Sequence, residues 1–125
     1  PHEPISPAIA AELAALGNVT VRSLGDALPA AAHDNMQQRK FLAKQLAILV
    51  SSFQEVLFLD SDNLPLRDPT FLFEEPLYTQ HGLLMWPDFW RSEVKPGAWE
   101  ALGIPAALRP AGSHESGQVV VDKAR

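Results

Sequence analysis

The chain has 125 residues, 46% of them hydrophobic and 20% charged, with a formal net charge of -5, the size and composition of one globular domain. No basic run interrupts the acidic balance, so the clustered cationic face that nucleic-acid binding requires is missing. There is no cysteine, which excludes disulfides and thiolate metal sites, and no apolar stretch approaches the length of a membrane span.

In "PISPAIAAELAALG", Ser6 reads as an N-cap, Pro7 as the first helical residue and Gly17 as the stop of an alanine-rich helix. Asn18-Val19-Thr20 matches the N-glycosylation acceptor pattern, a triplet that also arises often by chance. "VTVRSL" alternates like a strand. Pro29 and its small neighbours make a loop, and Asp34 or Asn35 can cap a long helix to about Ser52. Its stripe of Leu42, Leu46, Leu49 and Phe53 recurs at spacings of four, three and four, the pattern of a face turned to a core.

"EVLFL" is a continuous apolar run, expected to be a strand covered on both faces in a parallel or mixed sheet between helices. After the turn at Asn63-Leu64-Pro65, Asp68 and Pro69 open a short helix. "GLLMW" reads as a second buried strand that ends at "WPDFW", and "PGAWEALG" as a short helix. "GIPAALRPAGSHESG" reads as a loop and "QVVVD" as the last strand. Helices alternating with apolar strands favour an α/β layered fold. The chain starts at Pro1 and stops just after a strand pattern, so a partial domain is the expectation for residues 1–125.

Chemistry concentrates where the "VLFL" strand runs into Asp60 and Asp62. In open α/β sheets, ligands collect beyond the carboxyl ends of the strands. Residues i and i+2 of extended chain point the same way, so two carboxylates would face one partner. Such a pair repels unless a cation lies between them, and hard Mn²⁺ or Mg²⁺ suits oxygen donors. The plainer alternative is an exposed turn with a side-chain-to-backbone bond.

Three chemistries use such a pair. A helix-loop-helix calcium site counted from Asp60 fails, because Pro65 stands at its glycine position and Phe71 at its twelfth. A haloacid-dehalogenase-like phosphatase with Asp60 as nucleophile would carry Gly-Thr where this chain has Asn63-Leu64, and it stays as the alternative. The third is a nucleotide-sugar transferase, whose metal bridges the donor diphosphate. A non-catalytic fragment is the remaining possibility.

"FLAKQLAILVSSFQEVLFLDSDNLPLRDPTFLF", "WPDFW" and "ESGQVVVDK", in that order and spacing, resemble the fungal α-mannosyltransferases of the Golgi type that extends mannan. The resemblance implies a GT-A (Rossmann-like) nucleotide-sugar-binding sheet flanked by helices, GDP-mannose as donor, Mn²⁺ or Mg²⁺ as cofactor and a glycan acceptor. It also implies a Golgi-lumenal, type II membrane protein whose anchor lies outside this chain. Residue by residue, it makes Asp60 and Asp62 the metal ligands. Asn63 becomes a ribose contact or, more in keeping with Asn, the holder of the turn, and Lys44 a diphosphate contact, although off the helix stripe it also reads as a solvated lysine. Gln118 or Glu115 would touch the mannose, and His114 is either a third metal ligand or a surface histidine. In "WPDFW", Asp88 is a hydroxyl-binding residue, while Trp86, Phe89 and Trp90 would stack on a sugar or belong to a core. An α-linked donor giving an α-linked product means retention, and a double displacement needs a carboxylate beside the anomeric carbon. Asp88 and Glu115 are the candidates.

Overall fold

The computed structural model describes residues 5–28, 42–91, 94–110 and 112–125. They fall into two compact units, 1–52 and 53–125, which are taken in turn.

In the first unit, α1 spans Pro7–Ala15, with the Ser6 hydroxyl accepting from the Ile9 amide at 3.3 Å and Pro7 in the first turn. Gly17 follows at φ 71° and Asn18 at φ 51°, left-handed positions that end the helix. The alternating stretch Val19–Leu24 is not a strand; a short helix α2, Leu24–Ala27, follows it instead. Alternation fits a strand only where a neighbour takes up the backbone groups. Helix α3 covers Leu42–Val50; the expected cap at Asp34 or Asn35 and the loop at Pro29 lie outside the described residues. Its stripe is not sealed into a core. Leu49 stays 69% exposed, and Phe53, beyond the helix end, 71%.

The second unit is built on three strands: β1 Glu55–Leu59, β2 Leu83–Arg91 and β3 Gly112–Asp122. They pair in the order β1-β3-β2, antiparallel throughout. Two expectations are corrected here. The sheet is neither parallel nor mixed, and β1 is an edge strand rather than the covered centre, its apolar residues only half-buried. An apolar run reports burial but not the direction of its partner. The long β3 takes the middle, and Val120, paired with Leu57 on one side and Leu84 on the other, is fully buried. "WPDFW" lies within β2 rather than beyond its end, and Pro87 is tolerated there because β2 is an edge. Likewise "SHESG" belongs to β3, not to a loop.

Between β1 and β2 a 3₁₀ helix, Pro69–Glu74, is capped by Asp68, whose carboxylate accepts from the Thr70 amide at 3.0 Å. That bond, then the Thr70 hydroxyl, holds the Asp68 carboxyl below its usual range. Helix α4, Pro76–His81, enters at Pro76 and leaves at Gly82 in the left-handed conformation, φ 69°, with the Gly82 amide on the Tyr78 carbonyl at 2.7 Å. Tyr78 is 3% exposed, meets Phe73 edge-on at 5.5 Å and donates its hydroxyl proton to Glu55 of β1 at 2.9 Å. One side chain thereby ties the helical connection to the sheet. Helix α5, Pro96–Ala101, and a 3₁₀ turn, Ala106–Leu108, lead into β3. Among the described residues no helix is long and apolar enough to cross a membrane.

Candidate functional site

The end of β1 is where the sequence placed the chemistry, and its geometry differs from the extended pair expected there. Asp60, Ser61, Asp62 and Asn63 form a tight turn in which the Asn63 amide donates to the Asp60 carbonyl at 3.0 Å. The two carboxylates therefore leave the first and third positions of a turn, not alternate positions of a strand. Asp60 is half-buried and Asp62 exposed.

The turn is fastened to β3. Gly117's carbonyl accepts from the Asp60 amide at 2.7 Å and also from the Asn63 side-chain amide. Asn63 holds the turn, and it does so through its side chain, not through a left-handed backbone: Asn18 has positive φ, Asn63 does not. Gly117 is buried, and a β-carbon there would lie 2.9 Å from Asn63 Nδ2 and 3.3 Å from both Asp60 Oδ2 and Glu115 Oε1. Three candidate residues thus converge on one glycine.

A bulge delivers that glycine. β3 pairs Val119 with Met85 and then His114 with Pro87, so four residues of β3 face one of β2. The excess, Glu115 to Gln118, turns towards β1 and its turn, with Gln118 paired to Leu59. Glu115 Oε1 accepts from the amides of Ser116 and Gly117, each at 3.0 Å, and so caps the bulge from within. On the far side β2 bulges in return, three residues against one. There Asp88 Oδ1 accepts from the Phe89 amide at 2.6 Å, while the Ser113 hydroxyl lies 3.2 Å from Asp88 Oδ2 and 3.0 Å from the Trp90 carbonyl. Asp88 and Glu115 flank the Pro87–His114 pair, each already holding backbone. His114 is exposed, and so are Phe89 and Trp90.

Beside the turn lies a cavity of about 700 Å³, with Leu57, Leu59, Leu84, Trp86 and Gln118 from the sheet, and Asn63, Arg67 and Phe71 from the segment after the turn. That is the size range of small-molecule sites. The Arg67 guanidinium carbon lies over the Phe71 ring, 3.7 Å from its centre, a cation–π contact. Arg67 was not among the candidates in the sequence, where its one signal is a cation close after the aspartates. Lys44 sits half-buried on α3, in the other unit.

A family model described as "Mannosyltransferase putative" matches residues 18–114. The chain belongs to this mannosyltransferase family. Among curated proteins, the α-1,2-mannosyltransferase MNN2 of Candida albicans is 48% identical over 62 residues, 50% of this chain and 10% of that protein. MNN2 of Saccharomyces cerevisiae, also an α-1,2-mannosyltransferase, is 37% identical over 81 residues, 65% of this chain and 14% of that protein. The α-1,2-mannosyltransferase MNN5 of Saccharomyces cerevisiae is 30% identical over 78 residues, 62% of this chain and 13% of that protein. The chain thus spans roughly a tenth to a seventh of the length of these relatives. No solved structure gives a significant match. The mannosyltransferase match contains Asp60, Asp62, Asn63 and Asp88 and stops at His114, so the bulge that receives the turn lies beyond it.

Proposed function

We propose that this chain contributes the donor and metal site of an α-mannosyltransferase that moves mannose from GDP-mannose to a glycan acceptor with retention of configuration. The observation that carries this reading is the Asp60–Asn63 turn, held at the end of β1 within residues 18–114, the stretch that matches the mannosyltransferase family. The names of the curated relatives support an α-1,2 linkage; a place in the Golgi lumen is what the resemblance implies.

The donor set suits Mn²⁺ or Mg²⁺. Asp60 and Asp62 would be hard oxygen ligands on one four-residue turn, and among the described residues they are not joined by a third His, Cys, Asp or Glu in a group that could hold a metal. Two carboxylates leave positions open, the arrangement in which substrate phosphates complete the shell. A divalent ion held there would supply charge neutralisation for the departing diphosphate. Asn63 keeps the turn in place, and Arg67 on the cavity lining would offer its guanidinium to phosphate, as Lys44 does in the resemblance. Gln118, on the same lining, would meet the sugar, and Asp88 or Glu115 would provide the carboxylate of a double displacement. The exposed rings of Phe89 and Trp90 suit stacking on an acceptor sugar.

The test is transfer from GDP-mannose to an α-mannoside, with and without a chelator. Transfer that chelation abolishes, that Mn²⁺ restores and that Asp60→Ala removes supports the reading. Transfer indifferent to the chelator contradicts the metal role, and a trapped aspartyl-phosphate at Asp60 would point to the phosphatase instead.

A further inference from the structure

We propose that Gly117 and Asn63 form a latch that positions the carboxylates of the Asp60–Asn63 turn, with Gly117 as its keystone; this rests on the metal reading given above. The Gly117 carbonyl is one acceptor shared by two donors, the Asp60 amide at 2.7 Å and the Asn63 side-chain amide. Asp60's own carbonyl goes to the Asn63 amide, and the Gly117 amide goes to Glu115 Oε1. In an ordinary antiparallel pair, Asp60 and Gly117 would exchange both of their bonds. Here the outer half of that rung is redirected, once into the turn and once into the bulge. The strand ladder therefore stops at Asp60 and the turn begins at the same residue, with no slack between them.

The missing side chain matters as much as the carbonyl. A β-carbon at Gly117 would press on Asn63 Nδ2 at 2.9 Å and crowd Asp60 Oδ2 and Glu115 Oε1 at 3.3 Å. Movement of Asn63 breaks the latch, movement of Asp60 swings the first carboxylate, and movement of Glu115 uncaps the bulge that carries Gly117. Metal sites depend on such supporting contacts, whose loss costs about 10–100-fold in affinity.

Two readouts on the purified protein test this. Amide hydrogen exchange in metal-free protein reads the latch itself, and Mn²⁺ titration reads its effect on the carboxylates. Asn63→Ala, Asn63→Leu and Gly117→Ala should each speed exchange at Asp60 and Asn63 by about tenfold or more and weaken Mn²⁺ binding by about 10–100-fold. Gly97→Ala, where an added β-carbon meets nothing within 4 Å, should do neither. Gly117→Ala combined with Asn63→Ala should speed exchange no more than Asn63→Ala alone, because the latch is already lost, yet weaken Mn²⁺ binding further, because the β-carbon still crowds Asp60 Oδ2 at 3.3 Å. If Gly117→Ala does not fold, Asn63→Leu, which keeps size and loses the donor without adding a charge, carries the same prediction. Unchanged exchange in the Asn63 variants overturns the latch, whatever the metal does. Faster exchange with unchanged Mn²⁺ affinity overturns its positioning role. A wild type that binds no Mn²⁺ overturns the metal reading and that role with it, while exchange still reports on the latch.

Discussion

Glu115 shows what a single side chain can be asked to do at this site. Its Oε1 accepts from two successive backbone amides and so shapes the bulge that carries Gly117. A glutamine keeps that acceptor, whereas alanine leaves two N–H groups to find other partners. Glu115→Gln should therefore hold Mn²⁺ affinity within about twofold of wild type, while Glu115→Ala weakens it about tenfold, the scale of losing a supporting contact; calorimetry on the two variants checks this. Transfer assays on Glu115→Gln then isolate chemistry from architecture. At this scale the sequence was legible wherever a residue acts on its near neighbours. Ser6 and Asp68 were readable as caps because the backbone amides that donate to them lie three and two residues away. The Asp60 and Asp62 turn was readable as a charged strand end, but its fastening was not. Asn63 reaches a backbone carbonyl 54 positions on, and a carbonyl has no signature in a sequence.

Elements were legible in proportion to how local their causes are. Helix α1 and the 3₁₀ helix after Asp68 follow from caps and prolines, whereas β1's direction of pairing depends on β3, more than fifty residues later. The stretch Val19–Leu24 shows the converse, a strand pattern without a ladder. Helix α4 escaped notice although it carries two plain signals, Pro76 at its start and Gly82 at its stop. Gly82 has φ 69°, and a β-carbon there would meet Arg125 Cδ at 2.8 Å. Gly82→Ala should cost about 1–2 kcal/mol, from the left-handed backbone and the displaced arginine, read as a lower denaturant midpoint at an unchanged slope. Tyr78, on the same helix, makes the element sensitive to alkali. Burial first, then the Glu55 hydrogen bond and charge, pushes its hydroxyl up to about 12 from the ordinary 10.0. The folded state therefore keeps a proton that the unfolded chain gives up above pH 10. Stability from this group is complete below about pH 10 and is lost as pH rises towards about 12, by on the order of 2 kcal/mol. Tyr78 is the chain's one tyrosine, so tyrosinate absorbance follows it alone, and Tyr78→Phe should remove that part of the alkaline decline.

At the scale of the whole molecule, family and architecture parted company. Order and spacing of three sequence blocks were enough to place the chain among the mannosyltransferases, and the match over residues 18–114 shows the family. The wider sheet implied by the GT-A resemblance is a different matter. Residues 53–125 form three antiparallel strands with β1 at an edge, and the chain represents only about a tenth to a seventh of its relatives' length. A strand's burial pattern is set by everything that packs on it, so an apolar run such as "VLFL" carries information about neighbours that this stretch alone does not supply. What residues 53–125 do contain is a turn with two carboxylates, fastened by Asn63 and Gly117 beside a cavity that Arg67 and Gln118 help to line. The central claim is that this turn is a metal site for a nucleoside diphosphate. Calorimetric titration of GDP into the protein, with and without Mn²⁺, on wild type, Asp60→Ala and Asp62→Ala, tests it most directly. Binding that requires Mn²⁺ and falls by at least about tenfold in each variant is the predicted result; GDP binding unaffected by both substitutions, or none in wild type with Mn²⁺ present, would contradict it.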